Sequence, residues 1–142
     1  MDPASELMAE RGAKFALISM LAALDTGQYE TVANSFAEDG VWHRQGKQLK
    51  GPSMVRAAMA ERPKGARTRH VVTNVLTTVQ SETIAEINFY MTVFSHQGEA
   101  DAPLPAPMDV PHTVNQSRAT LRREGSQWKL TEMKSAATFQ RK

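Results

Sequence analysis

Hydrophobic residues in the first part of the chain recur at helical spacing, which predicts two helices. Residues 4–24 carry a broad apolar stripe made of Met8, Phe15, Leu17, Ile18, Leu21, Ala22 and Leu24. Asp25 or Thr26 is suited to cap a second, short helix, whose inner face would carry Tyr29, Val32, Ala33 and Phe36. Asp39 and Gly40 are predicted to end this helix and turn the chain.

The following segments predict a short hairpin and a third helix. The stretches "VWHR" at 41–44 and "KQLKG" at 47–51 are typical of two strands joined by a tight turn at Gln45 and Gly46. Pro52 suits the first turn of a helix with an apolar side, and Pro63 is expected to close that helix.

From residue 67 the apolar pattern becomes alternating, which predicts long strands at about 67–79, 83–96, 113–123 and 127–139. Residues 97–112 hold four prolines, so no strand can run through them. This loop is long for a hairpin connection, and a lid, an oligomer contact and disorder are all open interpretations. Because the helices come first and the long strands last, the order predicts an α+β fold with helices on one face of a bent antiparallel sheet.

Length and composition favour one domain that spans residues 1–142. The chain is 41% hydrophobic and has no cysteine, so a core has to form without disulfides. Lys and Arg number 17 against 15 Asp and Glu, and the one dense basic stretch, residues 61–69, lies in a predicted loop without aromatic residues. We therefore expect no nucleic-acid partner. With no signal-peptide pattern and no long apolar run, we expect a cytoplasmic protein without membrane contact.

Polar side chains interrupt the apolar pattern of the first two long strands. His70 and Asn74 share the parity of Val72 on the first strand, and on the second strand one parity is made of Asn88, Tyr90, Thr92, Phe94 and His96. A solvent-facing sheet surface would carry Lys, Glu and Arg instead, so we predict that these residues line a pocket on one face of the sheet. A structural role stays open for each, because buried imidazole, amide and phenol groups often only satisfy backbone partners.

The motifs that are missing restrict the chemistry. There is no cysteine, no paired-histidine metal motif, no nucleophile elbow and no glycine-rich phosphate loop, so we expect neither a metal nor a cofactor. What remains is proton transfer by imidazole, for which His70 is the candidate. A carboxylate partner would fix its tautomer and stabilise its charged form, and Asp25, after the first helix, is the candidate for that role. Asp25 as a plain helix cap is the alternative.

Three stretches carry a family resemblance: "LAALDTGQYETVANSFAEDGVWHRQGKQLKG", "TRHVVTNV" and "GSQWKL". Together they resemble the SnoaL-like branch of the nuclear-transport-factor-2-like superfamily over nearly the whole chain. The resemblance implies a cone: a strongly curved sheet wrapped on three N-terminal helices and enclosing an apolar pocket. It also implies a homo-oligomer, a dimer or a trimer.

Two enzymes of this superfamily, scytalone dehydratase and lindane dehydrochlorinase, use a histidine–aspartate dyad in the cone. By resemblance Asp25 and His70 match the dyad, and His96 matches a second pocket histidine of the dehydratase. The resemblance also adds Met20 and Trp42 to the predicted pocket lining. This sequence departs from the family pattern at Met20, near the position of the dehydrochlorinase lysine, and at Glu132, near the position of its arginine. The departures indicate a pocket for a different substrate, or for none.

The sequence thus favours a cofactor-free lyase of the dehydratase type, or an isomerase, that acts on an apolar cyclic or aromatic small molecule. His70 would be the general base, Asp25 its positioning partner, and His96, Tyr90 or Asn74 a donor to the developing oxyanion. Two alternatives stay open: a non-catalytic protein that binds an apolar small molecule, and a structural subunit like the small subunit of ring-hydroxylating dioxygenases.

Overall fold

The computed structural model describes all 142 residues and contains three helices and six strands. In chain order these are α1 (Pro3–Asp25), α2 (Tyr29–Asn34), β1 (Phe36–Arg44), β2 (Lys47–Lys50), α3 (Gly51–Ala60), β3 (Ala66–Val79), β4 (Ile84–Gln97), β5 (Thr113–Glu124) and β6 (Gln127–Gln140). The predicted bounds of α1 and of the four long strands are right to within one residue. None of the helices is long and apolar enough to cross a lipid bilayer.

The strands form one open, curved sheet in the order β2-β1-β6-β5-β4-β3. The four long strands pair antiparallel with their chain neighbours, as predicted. β1 pairs parallel to β6, so the sheet is mixed rather than wholly antiparallel. The predicted α+β class, with three helices packed against a curved sheet, is confirmed.

Strand β1 contains two residues, Phe36 and Gly40, that the sequence predicted to lie elsewhere. Phe36 does not lie on the inner face of the second helix but begins the strand, where it stacks on Trp42 with ring centroids 5.4 Å apart. Gly40 lies inside the same strand, and a Cβ there would meet the backbone oxygen of Leu130 at 2.5 Å. Close approach of β6 therefore explains the glycine that the sequence suggested as a turn residue.

A hydrophobic cluster of 22 buried residues fills the space between the helices and the sheet. It joins α1 to β1, β2, β4, β5 and β6, whereas β3 adds only the partly buried Val72. Its largest fully buried members include Phe36, Phe89, Leu17, Met20 and Met59. Two clefts lie at the margins of this core, one by the β1–β2 hairpin and α3 and the other by the end of α1 and the start of β3. The candidate site lies at the second of these clefts.

The register of β3 against β4 decides which side chains face the helices. Residues that pair directly across antiparallel strands lie on the same face. His70 pairs with Val93 and Val72 pairs with Met91, and both partners on β4 are buried in the core. The first half of β3 therefore turns His70 toward the helices.

A β-bulge reverses this alternation further along β3. The pairing shifts between Thr73 and Leu76, and Asn74 takes a left-handed backbone conformation with φ 52°. Beyond the bulge Leu76 lies on the outer face and is 73% exposed. The strict alternation that the sequence predicts for the whole strand is wrong after Thr73, because the extra residue moves every later side chain to the other face.

Candidate functional site

Asp25 is the last residue of α1, and the local sequence fixes where that helix ends. Thr26 caps it, and its hydroxyl donates to the carbonyl of Ala22. Gly27 follows with φ +75°, a conformation that turns the chain and that other residues adopt at a cost. The turn leaves the Asp25 side chain directed at the start of β3, the edge strand of the sheet.

The Asp25 carboxylate accepts three hydrogen bonds from β3. Oδ1 accepts from Nδ1 of His70 at 2.5 Å and from the Thr68 hydroxyl at 3.0 Å, and Oδ2 accepts from the backbone N–H of His70 at 2.8 Å. The two side chains are largely buried, with 9% of Asp25 and 12% of His70 exposed. The structure therefore brings together the two residues that the sequence put forward as a dyad.

Burial and hydrogen bonding act on the Asp25 carboxyl in opposite directions. Burial raises its pKa, but the hydrogen bonds from the ring and backbone of His70, the charge of that ring and the bond from Thr68 together outweigh it. The net effect is a pKa below the ordinary aspartate value, so the group is an anion at neutral pH.

The ionised carboxylate determines the tautomer of a neutral His70. A carboxylate can only accept hydrogen bonds, so Nδ1 carries the proton and donates it to Asp25. Nε2 is then the basic nitrogen, with its lone pair free. Nε2 forms no hydrogen bond to the protein and is not among the buried unpaired polar atoms, so it is open to solvent.

Two clefts bear on the site, and a residue of the dyad lines only the larger one. The larger, here called the edge cleft, measures about 730 Å³ and is bounded by the end of α1, the start of β3, the end of β4 and residues 104–109. Asp25 and Thr68 line it, whereas His70 does not. The smaller, here called the hairpin cleft, measures about 380 Å³ and lies between the β1–β2 hairpin and α3. Arg62 lines both clefts and so marks where they meet.

His96 and Phe94 also line the edge cleft, but from the other side of the sheet. His96 pairs with Arg67 and Phe94 pairs with Arg69, which puts both on the face opposite to His70. His96 is also three residues further along the sheet, about 10 Å from the level of His70. The prediction that His70 and His96 share one face of the sheet is therefore wrong, because the odd-numbered residues of β4 face the core.

The remaining predicted pocket residues of the long strands lie away from the dyad. Tyr90 is on the outer face and is 48% exposed, and Asn88 lies on the same face, where it donates to Glu86. Asn74 is exposed in the bulge. The structure places none of the three beside the free nitrogen of His70.

Met20 and Trp42 belong to the hydrophobic core. Met20 is fully buried, and Trp42 is 6% exposed, between the Phe36 ring and the guanidinium of Arg44. Neither lines the edge cleft or the hairpin cleft. The sequence predicted that both residues line an enclosed apolar pocket. In the structure they pack against the other side chains of the core.

Thr68, Arg44 and Arg62 are site residues that sequence reasoning missed. Thr68 shares the parity of His70 two positions earlier, so the alternating pattern contained a signal for it. Arg44 ends β1 in the hairpin, and Arg62 lies just after α3. No local sequence pattern links either arginine to β3. His43 is half-buried, and its Nε2 lies 3.1 Å from a carboxylate oxygen of Glu132. No group of three or more His, Asp or Glu side chains is placed to hold a metal ion.

Comparison with known proteins identifies the relatives of this fold. The SnoaL-like domain family matches residues 6–134, nearly the whole chain. No curated protein matches the chain.

Solved structures with the same fold are related at low sequence identity. A proposed scytalone dehydratase from Novosphingobium aromaticivorans superposes with a TM-score of 0.75 at 16% identity, over 97% of this chain and 89% of its own. A type 2 hexachlorocyclohexane dehydrochlorinase superposes with 0.72 at 17% identity, over 94% and 88%. A nuclear-transport-factor-2-like protein with a cystatin-like fold, also from Novosphingobium aromaticivorans, gives 0.73 at 19%, over 93% and 83%. At such identities the likeness shows the fold.

Proposed function

The chain belongs to the SnoaL-like domain family, and from this premise we propose that it is a cofactor-free lyase of the dehydratase type, or an isomerase. Its substrate is an apolar cyclic or aromatic small molecule. The fold is shared with a proposed scytalone dehydratase and with a dehydrochlorinase, both named for eliminations. In this proposal the protein acts in the cytoplasm as a homo-oligomer.

One observation carries the proposal: the buried contact between the Asp25 carboxylate and Nδ1 of His70. A plain helix cap would accept hydrogen bonds from the backbone N–H groups of the helix that it caps, here α2. The N-cap of α2 is Gln28, and Asp25 instead directs both oxygens at β3. This arrangement supports a base over a structural histidine, because it leaves Nε2 unpaired and basic.

The proposed reaction begins with proton removal by Nε2 of His70 from a carbon next to a carbonyl or a leaving group. The electron pair of the C–H bond forms the new double bond or enolate, and in the elimination the leaving group departs with the electrons of its own bond. Asp25 holds the ring in place and stabilises the imidazolium that forms. The imidazolium then returns its proton to the leaving group or, in an isomerisation, to another carbon of the substrate.

The test measures turnover of a panel of cyclic β-hydroxy ketones and aryl ketones. Elimination appears as enone absorbance, and isomerisation appears as exchange of α-protons in D₂O by proton NMR. We expect His70→Ala and Asp25→Asn to lower the rate on any substrate found by about 10²–10⁴-fold, the usual worth of general acid–base catalysis. His112→Ala is the matched control, because His112 is exposed, and should keep the parental rate.

Two results would contradict the proposal. One is parental turnover of a confirmed substrate by both dyad variants. The other is saturable binding of the panel members without turnover or proton exchange, which would identify a binding protein instead of an enzyme.

A further inference from the structure

The rims of the edge cleft and the hairpin cleft carry an excess of positive charge. Their six basic side chains are Arg44, Lys47, Arg62, Lys64, Arg67 and Arg69. None of these six forms an ion pair, whereas Arg56, Arg118 and Arg122 elsewhere each pair with a carboxylate. The acidic residues of the rims are Asp25, held by His70, Asp109, paired with Arg141, and Glu61, which lines the hairpin cleft without an ion pair. Positive charge on the rims thus exceeds negative charge.

Two of the six cations, Arg44 and Arg62, form fewer hydrogen bonds to the protein than Arg67 and Arg69 do. Arg67 donates to the carbonyls of Lys64, Ala66 and Ala100, and Arg69 donates to the carbonyls of Asp25 and Thr68. Arg62 makes one long bond of 3.4 Å, to the Thr68 hydroxyl, and Arg44 makes none. Since a guanidinium has five N–H donors, most donors of Arg44 and Arg62 have no acceptor in the protein.

Aromatic rings hold both guanidiniums in place. Arg44 lies over the Trp42 ring and Arg62 lies over the Tyr29 ring, each 5.5 Å from the ring centroid. Stacking fixes the plane of a guanidinium and leaves its N–H edges available for an anion. Burial lowers the pKa of Arg44, and the charge of Arg62 lowers it further, so the two cations repel each other across the hairpin cleft.

We propose that Arg44 and Arg62 bind a carboxylate group of the substrate, so that the apolar cyclic or aromatic molecule of the proposed function carries one acid group. The hairpin cleft suits such an acid, because Leu49, Met54 and Ala58 form apolar walls beside the two cations. Planar guanidinium forks match carboxylate geometry. Arg62 also contacts the Thr68 hydroxyl that bonds to Asp25, which places the anion site next to the dyad.

This inference rests on the proposed function only in taking the bound acid to be the substrate, so the experiment measures binding and not turnover. The probe is 2-naphthoate, and its neutral amide, 2-naphthamide, is the comparison; fluorescence titration gives the dissociation constants. We expect the acid to bind at least tenfold more tightly than the amide. Arg62→Gln and Arg44→Gln should each weaken naphthoate binding about tenfold or more and weaken naphthamide binding less, because only the acid brings a negative charge to the guanidiniums.

Arg11→Gln is the matched control, because it removes the same charge from an exposed position on α1, 14 residues or about 21 Å along the helix from Asp25. It should bind naphthoate like the parent. Because the measurement is binding, its result does not depend on whether His70 acts as a base. The inference is overturned if the folded parent binds the two probes equally, or if both arginine variants, with parental circular dichroism, bind naphthoate like the parent.

Discussion

Asp25→Asn should destabilise the protein, and the structure sets the size of the effect. The carboxylate accepts three hydrogen bonds at a largely buried site. An amide offers one oxygen and one NH₂ group, so it cannot accept at both positions. If its oxygen faces the Thr68 hydroxyl and the His70 ring, its NH₂ opposes the backbone N–H of His70. In the reverse orientation, Nδ1 of His70 has to become the acceptor, which moves the ring proton to Nε2.

At least one charge-assisted hydrogen bond is therefore lost, and the others become neutral. A hydrogen bond to a charged group contributes about 1.5–3 kcal/mol and a neutral one about 0.5–1.5 kcal/mol, so we expect the free energy of unfolding to fall by about 2–4 kcal/mol at pH 7. Urea titration followed by tryptophan fluorescence, at one protein concentration, measures it. Asp101→Asn, at an exposed aspartate without hydrogen bonds or ion pairs, is the control and should change nothing.

The destabilisation should depend on pH in one direction. Because folding lowers the pKa of Asp25, its ionised form stabilises the folded state. That stabilisation is complete above the unfolded value of about 3.9 and disappears as pH falls through the lower folded value. The difference between parent and Asp25→Asn should thus shrink as pH falls below about 4. A difference under about 0.5 kcal/mol at pH 7, or one that fails to shrink below about pH 4, would contradict this expectation.

Two further substitutions test the packing of the fold, and a third tests the expected homo-oligomer. Phe36→Ala should lower the free energy of unfolding by about 3–5 kcal/mol in urea titration, since the ring is buried against Trp42, and a loss below 1 kcal/mol would contradict this packing. Gly65→Ala should lower the melting temperature, because its Cβ would lie 1.7 Å from the Gly98 oxygen; an unchanged melting temperature would argue against that approach. Phe139→Glu should convert the expected homo-oligomer to monomer in light scattering, because Phe139 is 68% exposed on the outer sheet face; a parental mass would exclude that face as the interface.

Most of the fold could be predicted because it follows from local pattern. The alternation of residues 113–123 and 127–139 marks β5 and β6 almost to the residue. The parallel pairing of β1 with β6 could not be predicted, since it joins segments about 90 residues apart and their local pattern holds no information about partner or direction. Phe36 shows the same limit, because its apolar side chain suits a helix face and a strand equally well.

The candidate site divides in the same way. Asp25 was predicted as the partner of His70 from its place after the first helix, and the family resemblance indicated the same pair. Tyr90 and His96 were assigned to the wrong face, because neighbouring strands can offset their alternation by one residue and only the register decides which parity faces the core. Arg44 and Arg62 escaped prediction because their proximity is a product of the tertiary fold.

The tautomer of the neutral His70 ring tests the dyad most directly. Long-range proton–nitrogen NMR correlation at a pH where the ring is neutral distinguishes the two forms, and His70→Gln assigns the signals. The structure predicts a proton on Nδ1 and a bare Nε2 in the parent. A parent ring protonated on Nε2 would contradict the hydrogen bond to Asp25, and with it the general base.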